Sequence, residues 1–263
     1  MDEISFDLIS DLHVETWSEF DWLDQPTSPY CIIAGDVARD PAKIKETLKY
    51  LGKCYRAAFY IDGNDEHCLK FTELGASFKE LNKSIARIPH VVHMRENVVI
   101  INGVALVAVN GWWTFDLDPS INEEETKVIF AKKWSLERAQ VDAIADFAYH
   151  DAAYLLRTIM KMQTHIDVKK IIVVSHTVPR ADLIAHDIDL ANTWRFNCTG
   201  NPHMLRALEI DTEKKITAWC FGHYHGSVDR VIDGVRYVNN CRGRGDTQWK
   251  QPVYRPVRIS VEI

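Results

Sequence analysis

Five short apolar runs in this chain each end at a side chain that can bind a metal ion, and this recurrence most constrains the fold. The five segments are Ile9-Ser10-Asp11-Leu12-His13, Ala34-Gly35-Asp36, Asp62-Gly63-Asn64-Asp65, Val174-Ser175-His176 and Phe221-Gly222-His223-Tyr224-His225. In α/β proteins, ligands bind in the crevice beyond the carboxyl ends of the strands. Five strand ends that carry carboxylate, carboxamide and imidazole groups therefore predict one shared metal site.

The spacing within two of these segments supports this prediction. Asp11 and His13 stand two positions apart, so in extended chain both side chains project to the same side and can bind one ion. The same holds for His223 and His225, although a bend after Gly222 would send them to neighbouring ions.

The sequence predicts strands that alternate with helices. Compact apolar runs, which are typical of strands buried on both faces, occur at Ile4 to Ser10, Tyr30 to Ala34, Ala57 to Ile61 and Lys170 to Val174. Two apolar runs around Asn102-Gly103 predict a hairpin, because this dipeptide tolerates a type I′ turn. The last third of the chain adds predicted strands at Thr217 to Phe221, Val228 to Ile232, Val235 to Val238 and Val257 to Val261.

Helices are predicted from capping residues and from apolar residues at helical spacing. Asp40-Pro41 combines an N-cap with proline in the first turn, which predicts a helix to about Lys53. Further helices are predicted from His67 to Ala86, across Ser135 to Gln163 as one helix or a broken pair, and after Asn201-Pro202. The segments predicted as surface loops are Asp116 to Thr126 and Asp182 to Thr199.

The composition argues against several classes of protein. With 263 residues, 46% hydrophobic and 26% charged, the chain is globular, and one domain over residues 1–263 is expected. Its net charge of −6 argues against binding to nucleic-acid backbones, which needs a basic face. The sequence has no apolar run of about 18 residues that would span a membrane. Because the first residues are acidic, unlike a signal peptide, a cytoplasmic protein with free cysteines is expected.

In their order, the five segments resemble the pattern of the calcineurin-like metallophosphoesterase family. That pattern is D-x-H, G-D, G-N-H-[ED], a lone His after a strand, and G-H-x-H. Here it reads Asp11-Leu12-His13, Gly35-Asp36, Gly63-Asn64-Asp65-Glu66, Ser175-His176 and Gly222-His223-Tyr224-His225. The resemblance extends to about Gly226, and Asn240 to Gly243 is similar to a late element of the family. Each motif alone is weak, whereas all five in order are highly specific.

The resemblance implies a fold, a set of metal ligands and a mechanism. The fold is a four-layer αββα sandwich of two mixed β-sheets flanked by helices. The implied ligands are Asp11, His13 and His225 for one divalent ion, Asn64, His176 and His223 for a second, and Asp36 as a bridge between them. The implied nucleophile is a hydroxide shared by the two ions. Mn²⁺ is the first choice of metal, and Fe, Zn or Ni also suit these nitrogen and oxygen ligands.

One position departs from the family pattern. The family has a histidine there, assigned to protonating the leaving group or stabilising the transition state, but this chain has Asp65. A carboxylate with an ordinary pKa of about 4 is a poor proton donor at neutral pH. Three interpretations stay open: another residue such as His67 supplies the proton, the substrate has an acidic leaving group, or activity has been lost. Asp65 itself is either a direct participant or a hydrogen-bonding partner of the ligands.

Further candidates for catalysis and binding each have an ordinary alternative. His67 is either the catalytic acid or a surface histidine at the start of a helix. Arg242 and Arg244 either clamp phosphate through bidentate donors or belong to a solvated turn. Aromatic residues that either stack on a base or pack the core are Trp112, Trp113 and Trp194.

The expected function is metal-dependent hydrolysis of a phosphoester, with a phosphodiester or a nucleotide-like small molecule as the favoured substrate. The alternatives within the same chemistry are a phosphomonoesterase and a nucleotide pyrophosphatase. A DNA nuclease is disfavoured by the acidic balance of the chain. A non-catalytic scaffold that binds a protein partner is a rival of another class, and the presence of all seven ligands argues against it.

Overall fold

Two mixed β-sheets form the centre of the computed structural model, which describes residues 3–263 except for the side chains of residues 69–72. The strands are β1 (Glu3–Ile9), β2 (Tyr30–Ala34), β3 (Ala57–Ile61), β4 (Val91–His93), β5 (Val98–Ile101), β6 (Val104–Val109), β7 (Lys170–Ser175), β8 (Ile216–Phe221), β9 (Ser227–Ile232), β10 (Val235–Asn240) and β11 (Val257–Glu262). The first sheet has the order β11-β1-β2-β3-β4, and the second has the order β5-β6-β7-β8-β10-β9. Among the described strands of the first sheet, β11 is antiparallel to its neighbour and the others are parallel. In the second sheet the two edge strands, β5 and β9, are antiparallel to their neighbours.

Helices cover the outer faces of both sheets. They are α1 (Pro41–Cys54), α2 (Leu74–Ile85), α3 (Glu123–Trp134), α4 (Arg138–Thr164) and α5 (Arg206–Glu209). Asp40 begins α1 as predicted, because its side chain accepts a hydrogen bond from the backbone N–H of Ala42 and Pro41 occupies the first helical position. The predicted four-layer αββα sandwich is confirmed.

Three layers of apolar packing hold the sheets and helices together. Between the sheets, Phe6 and Ile32 from the first sheet pack in the same buried cluster as Leu106 and Ile172 from the second. The other face of the first sheet packs on α1, with residues such as Leu48. The other face of the second sheet packs on α4. Because the inner strands are apolar on both faces, polar side chains are displaced to the loops at the strand ends.

Several predicted segments differ from the structure. The helix predicted from His67 to Ala86 is a 3₁₀ turn over Asp65–Glu73 followed by α2. The predicted loop from Asp116 to Thr126 is wrong at its end, because Asn122 caps α3 and three glutamates fill its first turn. The segment from Ser135 to Gln163 contains one long helix, α4, rather than a broken pair.

No helix in the described part of the chain is both long enough and apolar enough to cross a bilayer. The hairpin around Asn102-Gly103 is confirmed, with Ile101 paired to Val104. The short strand β4 was not predicted.

Candidate metal centre

The seven predicted ligands lie on loops that follow five strands of the two sheets. Strands β1, β2 and β3 are parallel neighbours in the first sheet, and β7 and β8 are parallel neighbours in the second. The carboxyl ends of these strands meet at one edge of the sandwich, where the backbone N–H of His223 hydrogen-bonds to the carboxylate of Asp11 at 3.1 and 3.0 Å. Side chains far apart in the sequence are therefore brought together.

A first group of ligand atoms comprises those of Asp11, His13, Asp36 and His225. The Nε2 atoms of His13 and His225 lie 3.1 Å apart. His225 Nε2 lies 3.6 Å from Asp11 Oδ1, and His13 Nε2 lies 3.9 Å from Asp36 Oδ2. Two atoms that each lie about 2.0–2.2 Å from one ion are about 3–3.6 Å apart in tetrahedral geometry. The separations between His225 and its two neighbours fall within this range, and the one between His13 and Asp36 is slightly longer, so small shifts would let the group hold a single cation.

A second group lies beside the first and comprises Asp36, Asn64, His176 and His223. His176 Nε2 lies 3.0 Å from Asn64 Oδ1 and 3.3 Å from Asp36 Oδ1. Ligand atoms of Asp36, His176 and His223 all lie within 4.8 Å of one another. This spacing also fits one cation.

Asp36 belongs to both groups and contributes a different oxygen to each. Its Oδ2 faces His13 and its Oδ1 faces His176. The same Oδ1 accepts a hydrogen bond from the backbone N–H of Asp65 at 2.8 Å. A carboxylate held in this position is suited to bridge two ions.

The backbone at four of these ligands has positive φ, a conformation that residues other than glycine adopt rarely. The φ angles are 49° at Asp11, 41° at His13, 54° at Asp36 and 64° at His223. Such conformations cost on the order of 1 kcal/mol or more each, and they cluster at functional sites. Backbone hydrogen bonds to neighbouring loops compensate, such as that from Asp11 to Gly35 O at 2.9 Å.

Close approach of the loops requires glycine at the strand ends. A Cβ atom on Gly222 would lie 2.6 Å from both Ala34 O and Asp11 Oδ2. A Cβ atom on Gly63 would collide with the carboxylate of Asp36. The glycines of the motifs therefore allow the ligands to converge.

Hydrogen bonds orient the histidine rings so that one nitrogen of each is directed to the cluster. His176 Nδ1 lies 2.8 Å from Ala34 O, which leaves Nε2 facing the other ligands. His223 uses Nε2 to contact Cys198 O at 3.1 Å. Such outer contacts fix the tautomer and orientation of ligand histidines. Burial lowers the pKa of His176, and it lowers the pKa of His225 to about 3, so the rings are neutral and their lone pairs are free to bind cations.

Burial also disfavours the charged forms of the clustered carboxylates. It raises the pKa of Asp11 to about 6 and that of Asp36 well above its ordinary value. For Asp36, repulsion from Asp65 and Glu66 adds to the effect of burial. Positive charge between these groups would relieve both penalties. Two divalent cations therefore fit the donor set, its spacing and its charge.

Glu66 is the last residue of the Gly63-Asn64-Asp65-Glu66 segment. It binds the backbone of the ligand loops and is not itself one of the seven ligands. Its carboxylate accepts hydrogen bonds from the backbone N–H groups of Asp36, Val37 and Gly63 at 3.1, 2.7 and 2.8 Å. Burial raises its pKa to about 8. Glu66 thus ties the loop after β2 to the loop after β3.

Asp65 is buried between two arginines and a ligand histidine. Arg39 contacts it through Nε at 2.8 Å and Nη2 at 3.3 Å, and Arg244 contacts it through Nη1 at 3.2 Å. His13 Nδ1 lies 3.3 Å from Asp65 Oδ2. Burial alone would raise the pKa of Asp65, but the contacts with His13 and Arg39 outweigh it and hold that pKa below its ordinary value. These contacts favour the ionised form of Asp65 and so disfavour it as a proton donor.

His67 is not brought into the crevice. Instead of being an exposed histidine at a helix start, it is 1% exposed. Its Nδ1 lies 2.8 Å from Ser77 Oγ and its Nε2 lies 3.0 Å from Asp62 Oδ2. Both ring nitrogens are therefore engaged by buried side chains, and His67 does not line the crevice.

Arg242 is also placed away from the seven ligands. Its guanidinium lies 4.1 Å from the centre of the Trp17 ring, and its Nη2 donates to Glu19 O at 3.3 Å. It borders a separate cavity of about 240 Å³ that Phe20 also lines. Arg242 does not line the crevice beside the ligands, so the role of a phosphate clamp stays a prediction for it, whereas Arg244 contacts Asp65 at that crevice.

The crevice beside the ligands has a volume of about 730 Å³. Asn64, Asp65, His223 and His225 are among the residues that line it. Trp113 and Trp194, two of the predicted aromatic candidates, line it, whereas Trp112 is fully buried.

Two further residues of this region, Arg39 and Cys241, were not among the predicted site residues. Arg39 lies in the same loop as Asp36, just before the N-cap residue of α1, and belongs to no motif. Its position in that loop was the only sequence signal that it would lie near the ligands. Cys241 has its thiol within 4.8 Å of ligand atoms of Asp11 and His225. The position of Cys241 in the late Asn-Cys-Arg-Gly segment was the available sequence signal that it would lie near the ligands.

Comparisons with known proteins agree with this geometry at the level of the fold. No family model matches the chain, and no curated protein does. Among solved structures, the chain is similar to phosphopantetheinyl hydrolase from Mycobacterium tuberculosis, with a TM-score of 0.70 and 19% identity over 97% of this chain and 96% of that one. It is also similar to a dimetal phosphatase from Danio rerio, with a TM-score of 0.50 and 11% identity over 98% of this chain and 91% of that one.

A third similar structure is a Plasmodium protein described as the anchor in the inner membrane complex. Its TM-score is 0.53, with 10% identity over 98% of this chain and 81% of that one. At such identities the likeness shows the fold alone, a sandwich of two mixed β-sheets flanked by helices. Because hydrolases and an anchor share it, activity has to be argued from the site.

Proposed function

We propose that this chain is a metal-dependent phosphoester hydrolase that favours diesters with acidic leaving groups. The observation that carries the proposal is the position of Asp36, whose two oxygens face two separate groups of ligand atoms. Asp11, His13 and His225 would hold one divalent cation with Asp36. Asn64, His176 and His223 would hold a second.

When bound, the two cations would supply a water-derived nucleophile at neutral pH and would neutralise charge on the phosphoryl oxygens. The chain keeps the site electropositive, because its ligands include only two carboxylates, Asp11 and Asp36, against four positive charges. The imidazole and carboxamide ligands are neutral. An anionic phosphoester is therefore attracted to the site.

The fixed carboxylate of Asp65 supports the preference for acidic leaving groups. In the family pattern this position supplies a proton or stabilises the transition state, but here it is paired with Arg39 and Arg244. A leaving oxygen that receives no proton departs readily only if it is a stable anion. Aryl, nucleoside-phosphate and phosphoanhydride groups meet this condition, whereas simple alcohols do not.

The size of the crevice supports a diester over a simple monoester. Its volume of about 730 Å³ is in the range of pockets that enclose a drug-sized ligand. A small monoester would leave most of it empty. A diester has a second substituent that can occupy this space while the phosphorus lies at the ligand cluster.

The similar phosphopantetheinyl hydrolase adds a phosphopantetheinyl ester to the substrates worth testing. A phosphomonoesterase and a nucleotide pyrophosphatase are the alternatives with the same ligands. A scaffold remains the alternative of another class, and the similar anchor protein is the observation that favours it.

The test is a substrate panel on metal-depleted protein reconstituted separately with Mn²⁺, Fe²⁺, Zn²⁺ and Ni²⁺. The panel contains bis-p-nitrophenyl phosphate, p-nitrophenyl phosphate, a dinucleoside pyrophosphate and a phosphopantetheinyl ester. We expect Mn²⁺ to give turnover, with kcat/KM for the aryl diester about tenfold or more above that for the monoester. Faster monoester cleavage would favour the phosphomonoesterase, and bound metal without any turnover would favour the scaffold.

A further inference from the structure

The crevice beside the ligand cluster has an aromatic wall that the proposed hydrolysis does not itself require. Trp134 and Trp194 line one side of the crevice and Trp249 lines it near His225. Trp134 is 41% exposed, and Trp194 and Trp249 are half-buried. Exposed indole faces beside a polar site are costly in water, so their concentration here indicates a ligand surface.

This aromatic surface begins at the ligands themselves. The ring of Trp113 stacks on that of the ligand His223, with centroids 5.3 Å apart and planes 16° from parallel. On the other side, the ring of Trp249 lies 6.2 Å from that of His225. Trp113 is 3% exposed, so a group attached to a phosphate at the cluster would lie beside the half-buried ring of Trp249.

A lysine lies over two of the indoles. The Nζ of Lys133 is 5.3 Å from the centre of the Trp194 ring and 6.0 Å from that of Trp134. Contacts of this kind hold a cation against aromatic faces. Lys133 thereby contacts both an indole at the end of α3 and the indole of the loop that carries Trp194.

Polar groups complete the crevice next to the aromatic wall. The hydroxyl of Tyr224 donates to Asp187 Oδ2 at 3.0 Å, and Asp187, Asp189 and Arg195 all line the cavity. The aspartates accept hydrogen bonds and the arginine donates them. The surface thus combines flat apolar faces with donors and acceptors at their edges.

We infer that this crevice binds the planar base of a phosphorylated nucleoside, with the phosphate directed to the ligand cluster. A nucleobase has ring faces that stack on tryptophan, and its edge atoms pair with polar side chains. An alkyl chain would cover the indoles but would form no hydrogen bonds with the exposed side chains of Asp189 and Arg195. The base assignment rests on the proposed function for the position of the phosphate.

The experiment compares ligands that carry the same phosphate but different substituents. Isothermal titration of the Mn²⁺-loaded protein measures the Kd of adenosine 5′-monophosphate, ribose 5-phosphate and octyl phosphate. We expect the nucleotide to bind about tenfold more tightly than ribose 5-phosphate, which is the scale of one stacked base. Octyl phosphate is expected to bind more weakly than the nucleotide.

Variants of the crevice tryptophans then test whether the indole rings cause the preference for the nucleotide. Trp194→Leu and Trp134→Leu are each expected to raise the Kd of the nucleotide several-fold and to leave that of ribose 5-phosphate unchanged. Tyr149→Leu removes an aromatic ring of similar exposure on α4, away from the crevice, and serves as the matched control. Having two tryptophan variants guards against one that fails to fold.

The outcomes separate this inference from the proposed function. Equal binding of nucleotide and ribose 5-phosphate, tighter binding of octyl phosphate, or tryptophan variants that retain the tenfold preference would overturn the base assignment, even if diesters are hydrolysed. Conversely, a base preference that depends on Trp194 in a protein without turnover would overturn the proposed hydrolysis and leave the base site standing.

Discussion

The Nε of Arg39 donates a hydrogen bond to Oδ2 of Asp65 at 2.8 Å, at the position where the family pattern has a histidine. Arg244 contacts the same oxygen at 3.2 Å from the other end of the chain. Together with His13 Nδ1 at 3.3 Å, these contacts hold the carboxylate in place behind a ligand. Asp65 is therefore best described as a positioning residue for His13 and the two arginines.

Replacing Asp65 by asparagine tests this role. We expect Asp65→Asn to lower kcat/KM for an aryl diester about 10- to 100-fold, the range seen when a partner of a metal ligand is lost. Because its ion pairs favour the carboxylate form, Asp65 is not expected to donate a proton, and both limbs of the pH profile of kcat/KM should keep their positions. Asp246→Asn is the matched control, since exposed Asp246 pairs with Arg244 but not with His13. Loss of a limb in Asp65→Asn alone would identify Asp65 as a proton donor after all.

Replacing His67 tests whether this residue is structural. His67→Leu removes contacts to Asp62 and Ser77 and leaves buried polar groups less well paired. We expect the free energy of unfolding to fall by about 2–4 kcal/mol, measured by urea denaturation. His67→Gln retains a donor and should recover part of the loss, with an unchanged pH profile of kcat/KM. A parent that cleaves diesters with poor leaving groups, together with a stable Gln variant that cleaves only those with acidic leaving groups, would restore His67 as the acid.

Asp151 predicts a pH dependence of stability that is separate from the ligand cluster. Burial raises the pKa of this carboxyl on α4 to about 6, while its side chain accepts a hydrogen bond from Gly111 N at 2.8 Å. Because the folded pKa exceeds the ordinary value of 3.8, the folded state binds more protons between these two pH values. The stability that protonated Asp151 contributes to the folded state is therefore lost as the pH rises from about 4 to 6.

Asp151→Asn should remove this loss. We expect the variant to be more stable than the parent at pH 8, by an amount on the order of 3 kcal/mol as an upper limit. The difference should shrink as the pH falls through 6 and disappear near pH 4. Thermal unfolding across this range measures it, and a difference that does not vary with pH would contradict the assignment.

Much of the fold and of the ligand cluster could be predicted because both depend on local patterns. Buried strands such as β2 and β7 are short apolar runs, and the ligands follow them directly, so the order of motifs carries three-dimensional information. The N-cap at Asp40 and the turn at Asn102-Gly103 are likewise encoded within a few residues.

The parts that were missed depend on contacts between distant segments. Arg39 and Arg244 meet at Asp65 only after the loops have folded. The burial of His67 depends on Ser77 and Asp62, which lie in different elements. Helix α3 was taken for an acidic loop because its exposed face is rich in charge, although Asn122 and the glutamates after it are a helix-start signal.

The central claim is that Asp36 is shared by two cations, and counting bound metal tests it most directly. Metal-depleted protein is loaded with Mn²⁺, freed of excess ion and analysed by elemental mass spectrometry, in parallel with Asp36→Ala. Asp229→Asn, at an exposed carboxylate on β9, is the matched control. We expect two ions per chain in the parent and the control, and a loss of both, with turnover lowered more than about 100-fold, in Asp36→Ala. A parent that binds one ion or none, or an Asp36→Ala variant that keeps two, would contradict the account.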